Sequence, residues 1–248
     1  MKNSRQKIVI INGHPDAESF VFALHAAYRK GAERSGADVR ELVIRDLRFT
    51  PNLQFGYRQR TELEPDLLRA VDDIRWADHL VVLHPVWWGS YPAIMKGCLD
   101  RVFLPGFFFR KIPGVSTRWE KLLTGRSARI IYTLDTPWLF WWLSGRPSYN
   151  ALRWITLGYC GVSPIHGTAI GIVRLSTPAK RARWLARVEG SWGETSLTSV
   201  RPARRAGDQV QPSRTLDDRR GRRCRSRTTD VTRMSTRRAT LSSRARLW

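Results

Sequence analysis

The 248-residue chain is short of cysteine and of acid. Its three cysteines, Cys98, Cys160 and Cys224, lie far apart and form no CxxC pair. That argues against a disulfide framework or a zinc ribbon and points to a reducing compartment, the cytoplasm. No apolar run approaches the ~20 residues of a membrane span. The densest, Trp138-Leu139-Phe140-Trp141-Trp142-Leu143, is six residues long. No signal-like apolar core precedes the first β-like run, so a soluble chain without a transmembrane segment is expected. Glycine-rich phosphate loops are missing as well: no GxGxxG follows the first strand and no GxxxxGK[ST] occurs, which removes the dinucleotide fingerprint and the P-loop. Paired carboxylates, a Ser-His-Asp order and metal-ligand spacing are also absent. The five histidines are scattered, and His25, His79 and His166 read as packing or surface residues.

What is present is basic and apolar. Hydrophobic residues make up 42% of the chain, enough for a core, and 43 Lys and Arg against 21 Asp and Glu give a net charge of +22. The excess is concentrated at one end: from Gly193 onward there are fifteen Arg, no Lys and five acids. That stretch has no Phe, Tyr or Ile and little to bury, so residues 193–248 are expected to form a disordered Arg-rich tail outside a single domain of residues 1–192. The tail reads as a passive solvated segment, a stretch with no selected fold such as a shifted reading frame, or a basic arm. It carries neither RGG repeats nor interleaved aromatics, so nucleic acid is not the expected partner. Removing it should leave the melting temperature within a few degrees.

Before the tail, short apolar runs alternate with amphipathic segments. Lys7 to Ile11 is apolar on consecutive positions, the pattern of a strand buried on both faces. A helix from Phe20 stops at Gly36. Further strands are read at Val39 to Ile44, His79 to Leu83, Ala128 to Leu134 and Ile165 to Ile172. Further helices are read at Pro65 onward, Pro92 to Phe103, Tyr149 to Tyr159 and Pro178 to Trp192. Strand then helix, five times, predicts an α/β three-layer sandwich with a five-stranded parallel sheet, order 2-1-3-4-5.

In such a sheet ligands bind beyond the carboxyl ends of the strands. Three turns fall there. The first, Asn12 to Phe20, offers free amides at a helix start, a phosphate seat that His14 and Ser19 could supplement; an ordinary turn in which Ser19 only caps is the alternative. The second, Pro85-Val86-Trp87-Trp88-Gly89-Ser90-Tyr91-Pro92, sets two indoles and a tyrosine where a flat ring could stack, although core or interface packing would use them too. The third, Tyr132 to Trp138, offers the hydroxyls of Thr133 and Thr136 and the Asp135 carboxylate, or simply a turn before Pro137. The Trp-rich run that follows suits a pocket wall, a dimer contact or a lid.

Three stretches together resemble one family: His14-Pro15 with Ser19-Phe20; Pro85-x-Trp87-Trp88; and Pro92-Ala93-Ile94-Met95-Lys96-Gly97-x-x-Asp100-Arg101-Val102-Phe103. They are similar to the flavodoxin-like NAD(P)H:quinone oxidoreductases of the DT-diaphorase and modulator-of-drug-activity-B type, over residues 5–192. The resemblance implies bound FAD or FMN, NADH or NADPH as co-substrate, a quinone or other aromatic acceptor, and a homodimer. By position it sets His14, Ser19 and Phe20 at the flavin phosphates and ribityl chain. It sets Pro85, Val86, Trp87, Trp88 and Gly89 along the isoalloxazine, and Thr133 and Asp135 at its pyrimidine end. Trp88 and Tyr149 would be catalytic. The chain departs from the family at Glu18 and Val21, where a Thr and an Asn are usual, and at Leu134-Asp135-Thr136-Pro137 in place of Thr-Gly-Gly. A non-catalytic flavodoxin-like subunit of an ion-transport system is the competing expectation.

Overall fold

The computed structural model describes residues 5–115 and 117–191; the expected tail, and Trp192 at the end of the last expected helix, lie outside them. The chain begins with β1 (Lys7–Asn12), whose unbroken apolar run divides by parity. Ile8 and Ile10 join one core cluster, Val9 and Ile11 the other. Helix α1 (Phe20–Arg34) follows and ends before Gly36, which takes a positive φ of 83°. Then come β2 (Asp38–Val43), a 3₁₀ turn (Ile44–Asp46), α2 (Pro65–Trp76) with proline in its first turn, β3 (His79–Pro85) and α3 (Ala93–Val102).

A small antiparallel hairpin, β4 (Phe109–Lys111) and β5 (Trp119–Lys121), precedes β6 (Ser127–Leu134). The last elements are α4 (Trp138–Leu143), α5 (Pro147–Asn150), a π-helical stretch (Ala151–Leu157), β7 (Ile165–Gly171) and α6 (Pro178–Gly190). The sheet runs β2-β1-β3-β6-β7, parallel throughout. Counting only the strands of this sheet, that is the expected 2-1-3-4-5 order of a flavodoxin-like sandwich.

One face of the sheet is covered by α1 and α6, the other by α2, α3 and the segments after α4. The α1–α6 crossing is close because Gly31 has no side chain; a Cβ there would collide with the Glu189 carbonyl. The helix expected over Tyr149 to Tyr159 is instead the short α5 running into the wider π stretch. There Gly158 donates its N–H to the Arg153 carbonyl five residues back, at 3.0 Å. Glycine permits the approach, since a Cβ would stand 2.5 Å from that oxygen. The hairpin and α4 were not assigned as elements by periodicity, being only three and six residues long.

Two histidines are buried in the sheet. His84 stacks on Tyr132 and meets Tyr91 edge-on; its Nδ1–H donates to the Pro85 carbonyl at 3.0 Å. Burial lowers its pKa to about 4, and that of His79 to about 3. Both are neutral when folded, whereas the unfolded chain takes up these protons near pH 6.5. Their stabilisation is therefore complete above that value and is lost as pH falls toward the folded values. We expect stability to drop by about 1 kcal/mol per histidine between pH 7 and pH 5.5, measured by denaturant unfolding. His84→Phe should remove the share of His84.

Candidate functional site

The first and second turns meet on one rim of the sheet. β1 and β3 are neighbours, and Gly13 N–H extends their ladder by donating to the Leu83 carbonyl at 2.9 Å. Val86 N–H likewise donates to the Thr133 carbonyl at 2.7 Å, tying the third turn to the second. Across the gap the His14 ring lies edge-on to Trp87, centroids 5.7 Å apart.

The His14 turn is shaped by a continuous set of hydrogen bonds. His25 Nε2 stands 2.7 Å from Glu41 Oε2, and its Nδ1 faces the Asn12 amide nitrogen at 3.2 Å. Asn12 Oδ1 accepts from His14 N–H, His14 Nδ1 accepts from Asp16 N–H, and Asp16 Oδ1 accepts from Glu18 N–H, each at 3.0 Å. Burial lowers the His14 pKa despite the charge and hydrogen bond of Asp16. Since Nδ1 is an acceptor, the neutral ring carries its proton on Nε2, which is left to donate. Ser19 is the N-cap residue of α1 but makes no side-chain capping bond. Its hydroxyl is buried and has no partner, beside the first amides of a fifteen-residue helix, where the macrodipole favours an anion. Phe20 packs against Trp184 of α6.

The second turn is a tight reversal. Trp87 and Ser90 exchange two backbone hydrogen bonds of 2.9 Å, and the central pair, Trp88 and Gly89, has φ of 50° and 73°. This is the type I′ geometry, which favours Asn-Gly. A tryptophan there carries ~1–2 kcal/mol of strain, and its side chain is fully solvent-exposed, at 105% relative exposure. Among the described residues nothing covers this strained indole. Gly89 borders α5: a Cβ on it would lie 3.2 Å from Pro147.

The remaining expected residues divide. Thr133 is buried at the end of β6. The Asp135 carboxylate accepts from Arg174 N–H at 2.8 Å, so it anchors the loop after β7 and does not stand free. Tyr149 is also buried, packed on Tyr132, with its hydroxyl accepting from Arg153 at 3.3 Å. The sequence offers the Trp-rich run, with Trp141, as a pocket wall, a dimer contact or a lid, and places Tyr132 at the start of the third turn; Arg146 has no expected role. With Tyr149 these residues line a cavity of about 260 Å³ beneath α4. The signal was the apolar density of the Trp-rich run, whose Trp138, Leu139, Phe140, Trp142 and Leu143 are exposed. Among the described residues no helix is long and apolar enough to cross a membrane.

Known proteins are similar to this chain in sequence and in fold. The chain is 30% identical over 152 residues to the ribosyldihydronicotinamide dehydrogenase-like protein traD of Penicillium crustosum, covering 52% of this chain and 57% of that one. It is 24% identical over 227 residues to NAD(P)H dehydrogenase [quinone] 1 of Cavia porcellus, covering 77% and 79%. Among solved structures, Smu.1420 of Streptococcus mutans UA159 superposes with a TM-score of 0.65 at 29% identity, over 74% of this chain and 97% of that one. The chain spans little more than half the length of the first curated relatives it matches. The family model described as flavodoxin-like fold, Flavodoxin_2, matches residues 6–190, and the chain belongs to that family.

Proposed function

We propose that the chain is a flavin-dependent NAD(P)H:quinone oxidoreductase. It would take a hydride from NADH or NADPH and deliver two electrons to a quinone or related aromatic acceptor. The observation that carries this reading is the rim itself: an unpartnered buried Ser19 hydroxyl in the turn after β1 and a strained, exposed Trp88 in the turn after its neighbour β3. The names of the relatives, a dehydrogenase-like protein and a quinone dehydrogenase, support it. FAD or FMN, when bound, would supply the hydride relay.

The chain's own residues would hold and orient. Ser19, His14 Nε2–H and the first amides of α1 suit the phosphate. Pro85 to Gly89 suit the ring, with backbone dipoles of the turn stabilising negative charge at its polar edge. Thr133 closes the adjoining side. Of the two residues expected to be catalytic, Trp88 faces solvent where an acceptor arrives, while Tyr149 is better placed as a positioning residue behind the rim. We place this activity within residues 1–192. The cytoplasm, where the buried free thiols of Cys98 and Cys160 would stay reduced, is the compartment the reading implies. A homodimer covering the exposed α4 face is its expected assembly, checked by light scattering.

The purified protein should absorb near about 450 nm, the ordinary position of an oxidised flavin, and bleach with NAD(P)H while reducing quinones. A colourless preparation that takes up neither FMN nor FAD would defeat the reading; bound flavin without turnover would select the non-catalytic subunit instead. Trp88→Asn separates fold from function at this site. Asparagine tolerates the left-handed turn, so we expect the melting temperature to rise by a few degrees, reflecting ~1 kcal/mol of relieved strain. Quinone kcat/KM should fall about tenfold, the size of a lost aromatic contact. Unchanged turnover would remove Trp88 from the acceptor site.

A further inference from the structure

We propose that the cavity beneath α4 binds a flat aromatic anion of one or two fused rings. Its walls are the rings of Tyr132, Trp138, Trp141 and Tyr149, its floor includes Gly167 of β7, and Arg146 brings the charge. Gly167 keeps that floor flat: a Cβ there would stand 2.5 Å from the Tyr149 ring. At about 260 Å³ the space is below the ~300–1,000 Å³ of most ligand sites, which suits a small ring system and excludes a whole dinucleotide.

The charge selects the sign. Arg146 sits in the left-handed region, at φ 49° and ψ 58°, directly after Gly145 at φ 75°. This costs ~1–2 kcal/mol and leaves its guanidinium over the Tyr149 ring, 5.6 Å from the centroid. Among the described residues no carboxylate pairs with it. The sequence from Thr136 to Val188 contains no acid at all. Arg153, outside the cavity lining, is a second cation near the same ring, 5.7 Å from its centroid. The Tyr132 hydroxyl already accepts from Trp141 Nε1 at 3.3 Å, so its own proton is left to donate.

Aromatic walls with a planar cation and a hydroxyl donor, and no acceptor of negative sign, match a ring bearing a carboxylate or sulfonate. A neutral ring would leave the guanidinium desolvated and unpaired, and a small inorganic anion would leave the aromatic walls wet. That the occupant is an electron acceptor rests on the function proposed above; the binding does not.

The test is calorimetry on the full chain with naphthalene-2-sulfonate and with neutral 2-naphthol. The sulfonate should bind at least tenfold more tightly, and Arg146→Met should erase that preference. Equal affinities in the unmodified protein, or a preference that survives Arg146→Met, would overturn the proposal. If Arg146→Met does not fold, Ala169→Leu, which fills the same cavity, must abolish sulfonate binding, and unchanged binding refutes the site. Neither probe needs the redox reaction. A colourless protein that still prefers the sulfonate would therefore refute the flavin reading alone.

Discussion

Ser19→Asp should abolish the proposed flavin binding while leaving the fold as stable as before. Aspartate is as good an N-cap as serine and suits the positive end of the α1 macrodipole. A Ser19 that served only as a cap would therefore be replaced without loss. The hydroxyl makes no such cap bond, however; it is buried and unpartnered where a phosphate would complete it. A carboxylate in its place sets like charges at contact. At ~4 Å that repulsion is worth from about 1 kcal/mol in water to about 4 kcal/mol near a protein surface. We expect FMN and FAD affinity to fall roughly 100-fold, the middle of that range, by fluorescence titration of the apoprotein. Ser19→Ala, which removes one hydrogen bond and adds no charge, should cost only about fivefold. Retained flavin affinity in Ser19→Asp, with an unchanged melting temperature, would show that the His14 turn does not seat a phosphate.

The sheet was legible because its three central strands, β1, β3 and β6, are buried on both faces. Ile8 to Ile11, Leu80 to Leu83 and Ile130 to Tyr132 are unbroken apolar runs, the pattern of a strand covered on both faces. Pro65 and Pro178 marked helix starts for the same local reason in sequence and structure: proline lacks the N–H that a first turn leaves unbonded anyway. The two rim turns were legible through topology, since order 2-1-3 makes the ends of β1 and β3 neighbours whatever their side chains. The rest depended on contacts between distant residues. Nothing local tells that Phe20 faces Trp184, or that Asp135 is engaged by the Arg174 amide. The π stretch depends on one glycine accepting a close carbonyl, and the cavity on Gly167, a residue from a strand eighteen positions after Tyr149. His84 falls just past the expected third strand, and its burial between two tyrosines appears only when β3, β6 and the turn after β3 are assembled.

Arg101→Met should unfold the protein more readily than any surface change, lowering stability by about 3–5 kcal/mol. Its side chain is wholly buried, yet it is no misplaced charge. One guanidinium nitrogen donates to the Thr50 carbonyl at 2.5 Å and to Glu64 Oε1 at 3.2 Å. The other donates to the Glu62 carbonyl at 2.7 Å and to Glu64 Oε2 at 2.8 Å. These partners all belong to the irregular segment between the 3₁₀ turn and α2, which has no strand or helix of its own to hold it. One helical turn earlier Gly97 lets the same segment approach, since a Cβ there would be 2.7 Å from the Pro51 carbonyl. The glycine and arginine of the Lys96-Gly97-x-x-Asp100-Arg101 motif thus act on the same loop, the first giving it room and the second binding its carbonyls. Methionine matches the bulk but leaves two carbonyls and a carboxylate without their donor, which is the costly way to break a buried ion pair. A loss of this size shifts the melting temperature by about 10 °C in a domain of this length. Burial raises the Glu64 pKa, but hydrogen bonds from Thr50 N–H, its own N–H and Arg101 bring it below the usual carboxylate value. Its stabilisation is therefore present above the unfolded pKa and lost as pH falls through the folded one. Arg101→Met should flatten that part of the acid dependence as well. A variant with the original acid profile and a melting temperature within a degree or two would show that the loop is held by the Gly97–Pro51 approach alone, and that the arginine is a passenger in the motif.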